Sequence, residues 1–570
     1  MARFKVPDYR QKLMLPVVLE EQLVPGSLEF AIHHLLEDRV EDSWFDDLYR
    51  NDDTGRPAYS PKMLLKIILL GYSRGLLSSR RLEQACRENV TFMAICGGER
   101  PDHSTIASFV GKLDGRISAV FCEVLLTCHE EGLLGGTHFS LDGIKLAANA
   151  SRENSGTFSD LRNKLKKIET KLAEKIAAHR KSDRKEMRGG RSKRSADHAQ
   201  EQRERQRQEQ SLDRLRRKSD KLRDFLAENT PKQGSRGEVQ SNVTDNESCR
   251  MHTNHGPIQG YNAQALVDSQ HQVIVHSEAM GAGQDFRHVG PLLEGAMENL
   301  VQAGIDQEVS LKGAELTADC NYHSEENLAA AEQAGVDAYI PDPQFRSRDP
   351  RFADRLERKQ QAKAETGKAQ RLTLAHFSYD APSDTYRCPA GKTLTLEAAQ
   401  ARDQRGNQYR RYVAQAEDCK QCPLRAQCLQ RDGQRRSLHI PIGSDPNHSL
   451  TRAMRAKIDR PESRAIYARR SAVVEPVFAN LRTQKRMDHF TYRGKAKVNT
   501  QWMLYCLVHN IERVARYGTK WIEKALQRAW DGAKRASRRL LSTLCKLRAL
   551  FLTLRATSTP PAALTPLLAF

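Results

Sequence analysis

Apolar side chains in the first 135 residues recur at helical spacing. Met63, Leu64, Ile67 and Ile68 follow Ser60 and Pro61, which predicts a helix that opens with proline at its first position. Ser79 is expected to cap a second helix running through Arg80, Arg81 and Cys86. Asp102 to Leu113 sets Ile106, Phe109 and Leu113 behind an opening Ser104 and Thr105, a third short helix with a polar, exposed start. Its size and polarity suit either the recognition element of a helix-turn-helix or one member of a plain helical bundle. From Thr137 the pattern changes to alternation, and His138 to Leu146 reads as a strand with Asp142 in its middle.

The strand gives way to a polar stretch. Phe158, Leu161, Leu165, Ile168 and Leu172 recur at three and four residues, and Leu212, Leu215, Leu222 and Leu226 follow the same heptad grid. Two antiparallel helices joined by a charged linker, Ser182 to Gln208, satisfy both runs; a solvated charge run is the alternative for the linker. Tyr261 to Val267 and Gln272 to His276 form a hairpin. A helix from about His288 to Ala303 then leads to the strand Ala314 to Ala318, which ends at Asp319. Ser324 caps the next helix, Glu325 and Glu326 suit its first turn, Gly335 closes it, and Asp337 to Ile340 is a strand. Asp319 therefore ends a strand of a β-α-β unit, where side chains line a crevice. Residues 341–450 read as loop-rich and basic. Pro461 then starts a long helix with Val474, Val477, Phe478 and Leu481 as its buried stripe and Glu475, Arg482 and Arg486 on another face. A further helix runs from about Asn499 to Arg516, and the basic, helical C-terminal stretch gives way after Leu554 to a Pro-rich, loose tail.

Charge sharpens this picture. The 570 residues hold 91 Lys and Arg against 71 Asp and Glu, a net charge of +20, so a polyanionic partner is expected. Residues 151–240 alone contain 26 basic and 15 acidic side chains. The apolar runs Met14 to Leu19 and Met63 to Leu70, the latter broken by Lys66, fall far short of the ~18 residues of a membrane span, and no export signal is visible. Twelve cysteines are scattered except at Cys388, Cys419, Cys422 and Cys428, which fits a reducing cytoplasm.

Three carboxylates stand out by position: Asp142 within a strand, Asp319 at a strand end and Glu475 on a helix. A carboxylate within a buried strand is costly unless a cation or hydrogen bonds compensate it. Two divalent metals would do so. In phosphodiester chemistry paired metals activate the attacking oxygen and stabilise the leaving one, and hard oxygen ligands suit Mg²⁺ or Mn²⁺. Taken singly, each residue is equally explained as a cap or an ion-pair partner.

The segments HFSLDGIKLAANAS, LTADCNYHSEENL and YARRSAVVEPVFANLRTQK followed by YRGKAKV resemble the DDE transposases of bacterial insertion sequences, in the branch with a Tyr, Arg, Glu, Lys/Arg signature helix. The resemblance implies an α/β fold with an RNase H-like core, a mixed sheet flanked by helices. Asp142, Asp319 and Glu475 would then be the catalytic metal ligands, holding two Mg²⁺ or Mn²⁺ per active site. Tyr467, Arg470 and Arg482 match the signature's remaining positions and would contact DNA, with Ser104 and Thr105 as base readers. One departure is visible: four residues rather than three separate Arg470 from Glu475, which turns Arg470 off the expected face. Asn262 and Asp285 sit in family-like segments without an assigned chemistry.

The resemblance divides the chain into a helical DNA-binding domain at 1–135, the first core strand at 136–150, a charged helical or coiled-coil insertion at 151–245 and the continued core at 246–345. A basic, cysteine-bearing insertion at 346–455, the catalytic helix and core end at 456–516 and basic C-terminal helices with a tail at 517–570 complete it. Cys419-x2-Cys422-x5-Cys428, with Cys388 in a Cys-Pro-x-Gly turn, offers four thiolates of the structural-zinc type; unbound thiols and a redox pair are the alternatives. If zinc binds, it replaces a hydrophobic core in an insertion too polar to fold otherwise. The resemblance further implies double-stranded DNA as partner, both terminal inverted repeats and target, a homodimer that synapses two ends, and a cytoplasmic, nucleoid-associated location. A non-catalytic DNA-binding remnant and an RNase H-like nuclease without strand transfer are the rival readings.

Overall fold

The computed structural model describes residues 18–49, 57–188, 195–234, 237–349, 351, 372, 374–402, 408–429, 434–441, 449–521, 523–524 and 526–527. The tail expected beyond Leu554 lies outside them, as does most of the stretch Met14 to Leu19. Among the described residues no helix is long and apolar enough to cross a membrane. The chain forms two compact units, Met1–Phe109 with Glu123–Leu133 and Leu507–Phe570, and Val110–Cys122 with Leu134–Cys506.

The first unit is helical. Ser27 caps α1 (Leu28–Arg39), accepting the Phe30 N–H at 3.2 Å. Ser60 caps α2 (Pro61–Ser73), with Pro61 at the first position as the sequence predicts. Lys66, the charge that interrupts the apolar run, is buried on α2 and paired with Glu37 of α1, so it needs no solvent. α3 (Ser79–Glu88) starts one residue earlier than expected, with Ser78 at the cap position and no side-chain cap bond. A short helix absent from the sequence reading, α4 (Val90–Ile95), intervenes because the Asn89 side chain caps it through the Thr91 and Phe92 N–H groups. α5 (His103–Lys112) comes next. The Glu83 carboxylate ties α5 to α3, accepting both the His103 N–H at 3.1 Å and its ring Nδ1 at 2.8 Å. α6 (Arg116–Glu130) completes the helices before the first strand.

The second unit is built on a six-stranded sheet of β1 (His138–Ala147), β2 (Cys249–Thr253), β3 (Gly256–Asp268), β4 (Ile274–Met280), β5 (Glu315–Ala318) and β6 (Asp337–Tyr339). Its order is β6-β5-β1-β3-β2, with β4 also paired to β3. β6, β5 and β1 are parallel, while β3 runs antiparallel to β1, β2 and β4. β3 is buried from Gln259 to Asp268, as a central strand demands.

The heptad runs form α7 (Phe158–Arg188) and α8 (Ser195–Glu228). Both helices continue well into the stretch 182–208 expected to be a linker, because its Lys, Arg, Glu and Gln are good helix formers despite their charge. Phe158, Leu161, Ile168, Leu222 and Phe225 form the seam between the arms, with Leu165, Leu215 and Leu226 beside it. The arms therefore pack on each other. The expected β-α-β unit is present: α9 (Val289–Gln302), then β5, α10 (Glu325–Gln333) capped by Ser324, and β6.

Residues expected to be loops instead hold a five-stranded antiparallel sheet, in sequential order β7 (Ser378–Asp380), β8 (Thr385–Arg387), β9 (Thr393–Arg402), β10 (Gln408–Ala414) and β11 (Ser437–Pro441). It has its own core of Phe377, Tyr386, Leu394, Tyr412, Leu438 and Ile440. The expectation that a metal stands in for a missing core is therefore overturned: the aromatic residues supply one. Short helices α11 (Ala416–Lys420) and α12 (Arg425–Cys428) lie within this insertion. α13 (Leu450–Ile458) returns the chain to the main sheet, its N-terminus held by the Glu325 carboxylate of α10, which accepts the Leu450 and Thr451 N–H groups at 3.0 and 3.2 Å. α14 (Pro461–Ala479) ends in a π-helical turn, Asn480–Gln484. α15 (Lys495–Tyr517) is anchored on the sheet where Trp502 Nε1 donates to the Gln264 carbonyl at 2.9 Å.

Candidate active site

Strand register brings two of the three carboxylates together. Leu141 of β1 pairs with Ala318 of β5 in parallel, so the next residue on each strand, Asp142 and Asp319, stand side by side. Asp319 lies just past the end of β5, where its side chain caps a single 3₁₀ turn, Cys320–Tyr322, by accepting the Asn321 N–H at 2.7 Å. Asp142 accepts the Gly143 N–H at 2.8 Å. Arg470, reaching in from α14, places its Nη2 2.7 Å from Asp142 Oδ2, and their side chains are only 13% and 23% exposed.

Burial dominates the electrostatics. It pushes the Asp142 carboxyl up to about 6, with Asp319 and Asp285 adding repulsion against the opposing pull of Arg470 and the Gly143 N–H. Asp319 is raised by burial too, again opposed by Arg470 and reinforced by Asp285. Two carboxylates that resist ionisation around one guanidinium make a place where added positive charge is favourable. The buried Arg470 Nε has no hydrogen-bond partner, a donor left over for an anion. By donor chemistry, the hard oxygens of Asp142 and Asp319 fit a divalent cation. Among the described residues, however, no three His, Cys, Asp or Glu side chains are grouped so that they could hold a metal ion.

Glu475 stands outside this cluster. It is exposed on α14 and makes no hydrogen bond or ion pair among the described residues. The extra residue in the signature thus acts opposite to expectation: Arg470 faces the aspartates, and Glu475 is turned away. Pro476 follows it inside the helix and cannot donate to the Ala472 carbonyl, which instead accepts Gln272 Nε2 at 2.9 Å. Tyr467, one turn before Arg470, is half-buried and meets Phe345 edge to face, with ring centroids 5.4 Å apart. Arg482 is exposed on the π-helical turn.

The floor of the site is a hydrogen-bonded chain that carries no catalytic signature. Asp285 Oδ1 accepts Asn262 Nδ2 at 2.6 Å and Gln264 Nε2 at 3.1 Å, and the Tyr322 hydroxyl donates to Gln264 Oε1. All four residues are buried. The available signal was Asn262 and Gln264 at alternate positions of a strand buried from Gln259 to Asp268, one face carrying amides. Gly143 faces Gln264 directly in the ladder, and a Cβ there would lie 2.1 Å from its amide nitrogen. The glycine after Asp142 is required by this side chain.

Ser104 and Thr105 lie at the start of α5, where both N–H groups and both hydroxyls are directed at Asp102. Asp102 is the cap, and these bonds hold its carboxyl well below the usual carboxylate range. Cys388, Cys419 and Cys428 pack against the core of the small sheet, but with Cys422 they are not grouped closely enough to hold a metal ion. Cys388 Sγ accepts the Lys392 N–H at 3.2 Å within a tight turn at Gly391, whose φ is +80°. Burial, with smaller contributions from Cys419, Cys422 and Cys388, pushes the Cys428 thiol up.

Two outcomes are expected of this geometry. Gly143→Ala should displace the Gln264 side chain and lower stability by about 1–3 kcal/mol, and adding Gln264→Ala should recover part of that loss; denaturant titration of both single variants and the double variant reads the coupling. Asp142, raised in the folded state, contributes stability that is complete below the unfolded carboxylate range near pH 4 and is lost as pH rises through about 6. In chelator-containing buffer Asp142→Asn should match wild type near pH 4 and exceed it by up to about 3 kcal/mol at pH 8. A difference that stays flat with pH contradicts the assigned environment.

Comparison with known families places this geometry. Residues 387–515, which span most of the small sheet, α13, α14 and most of α15, match the family described as Transposase DDE domain. Residues 17–112, the helices up to α5, match the family described as Transposase domain (DUF772). No curated protein matches the chain. Two separate stretches, one helical and one carrying Arg470 and Glu475, thus match transposase families, and together they indicate an insertion-sequence transposase of the DDE type.

Proposed function

We propose that the protein binds the terminal inverted repeats of its own mobile element, cuts the DNA with water as nucleophile and joins the freed 3′ hydroxyl to target DNA. The observation that carries this reading is the pair Asp142 and Asp319, adjacent on parallel strands beneath the Arg470 guanidinium. The strand order, with three parallel strands next to an antiparallel one, supports an RNase H-like core. Asp142 and Asp319 would hold the divalent metals, Mg²⁺ or Mn²⁺, two per site. Glu475 is assigned as the third ligand on its Glu-Pro-Val-Phe context and on the family match that includes it. When bound, such metals activate water and neutralise charge developing on the phosphate. Arg470, with its unsatisfied Nε, and Tyr467 position the scissile phosphate, and the exposed Arg482 contacts DNA further along.

In this reading sequence is read by the helical unit, with Ser104 and Thr105 at the start of α5 meeting base edges while Asp102 orients their hydroxyls. The basic surface supplies sequence-independent affinity. A homodimer synapses the two ends, and the location is cytoplasmic, at the nucleoid. Cys388, Cys419, Cys422 and Cys428 would close on a structural zinc; the CxxC spacing, the N–H···S bond at Cys388 and the mutual influence of the four thiols at Cys428 support it. The outward Glu475 is the observation that favours the rival, a DNA-binding remnant without catalysis.

Asp142→Asn and Asp319→Asn should each abolish Mg²⁺-dependent cleavage of DNA carrying the element's ends while leaving duplex binding intact. Cleavage by either variant at the wild-type rate overturns the site, and a wild-type protein that binds the ends but never cuts them supports the remnant. Metal analysis under reducing conditions should find about one zinc per chain, lowered by Cys422→Ser; less than about 0.2 in wild type removes the zinc assignment.

A further inference from the structure

At the base of the α7–α8 hairpin lies a cavity of about 400 Å³, outside the active site. Lys164, Arg217, Lys218 and Lys221 line it together with Asn154, Thr244, Leu222 and Val243, and none of the lining residues is acidic. Several cations elsewhere on α8 are paired, Arg223 with Glu169 and Asp220, Arg216 with Asp213 and Arg205 with Glu209, whereas three of the cavity's four stand on the same helix within five residues. Among the described residues Arg217, Lys218 and Lys221 have no carboxylate partner. Lys164 donates to the Glu153 backbone carbonyl, and burial and the neighbouring Lys218 lower it against the opposing pull of Glu153, so like charges crowd the cavity.

We propose that this cavity seats the sugar-phosphate backbone of duplex DNA, an inference that rests on the transposase reading. Four converging cations suit a polyanion, and the apolar patch of Leu222 and Val243 suits the deoxyribose between successive phosphates. A free phosphate would leave that patch uncovered. The seat turns the hairpin into a second DNA clamp on the same polypeptide as the cutting site, and it is indifferent to sequence because no base edge is needed.

The test uses the full-length protein and a short fluorescent duplex of arbitrary sequence, titrated over a series of salt concentrations. Lys218→Ala/Lys221→Ala, both exposed and therefore tolerated by the fold, should lower the slope of log affinity against log salt by about two and weaken low-salt binding on the order of tenfold. Lys171→Ala/Arg207→Ala, exposed on the same hairpin but away from the cavity, should leave the slope unchanged. Equal losses from the two pairs, or none from the first, overturn the seat while wild-type binding still upholds the DNA-binding reading. Failure of the wild type itself to bind duplex would overturn that reading and the seat with it.

Discussion

Asp142 sits within a strand that is paired on both sides, and its carboxylate ionises there only if a cation is brought to it. Much of the second unit is arranged around that need. Arg470 must reach in from a helix laid against β1 and β5, which fixes where α14 runs. β5 must pair in parallel register so that Asp319 shares the same guanidinium. The position after Asp142 must lack a Cβ because Gln264 occupies the space, and Gln264 is itself held by Asp285 and Tyr322. A one-residue slip between β1 and β3 would move Asp142 to the other face and uncouple all of these at once.

Sequence patterning revealed the elements whose caps and periodicity agree. Ser324, Glu325 and Gly335 mark α10 along the chain, and the strands on either side of it are enough to put Asp319 at a crevice. The heptad leucines locate the hairpin, but charge hides how far its arms extend, because Lys, Arg and Glu signal solvent exposure without signalling loss of helix. The five-stranded sheet escaped for a related reason. Gln408–Ala414 and Thr393–Arg402 mix arginines and glutamines with only a few apolar residues and no clean alternation, and the packing of Tyr386 with Tyr412, 4.9 Å between centroids, is not visible along the chain. Gln264 and Tyr322 could not be singled out, since their importance lies in one contact between residues 58 apart.

The two insertions solve different problems of surface and volume. The hairpin buries a single seam and leaves the rest of its surface charged, so it adds reach and positive potential with little core. The small sheet buries Tyr386 and Tyr412 beside the half-buried Tyr379, and the Asp384 carboxylate at its rim accepts the hydroxyls of Tyr379 and Tyr412, so that these polar groups satisfy one another. Glu325 then fastens the end of this insertion to α10, a join on which the placement of α13 and α14 depends.

The π-helical turn after α14 bears on helical phase. Successive residues of an α-helix advance by about 100°, so Glu475, five residues past Arg470, points roughly 140° away from it. A π turn takes up one residue more than an α turn and resets the phase of the residues beyond it. Here that wide turn falls at Asn480–Gln484, past Glu475, so it leaves the phase between Arg470 and Glu475 unchanged. The same wide turn placed between Arg470 and Glu475 would set the two side chains within roughly 40° of each other. Which residue of the signature faces the aspartates is thus decided by where along one helix a single extra residue is accommodated.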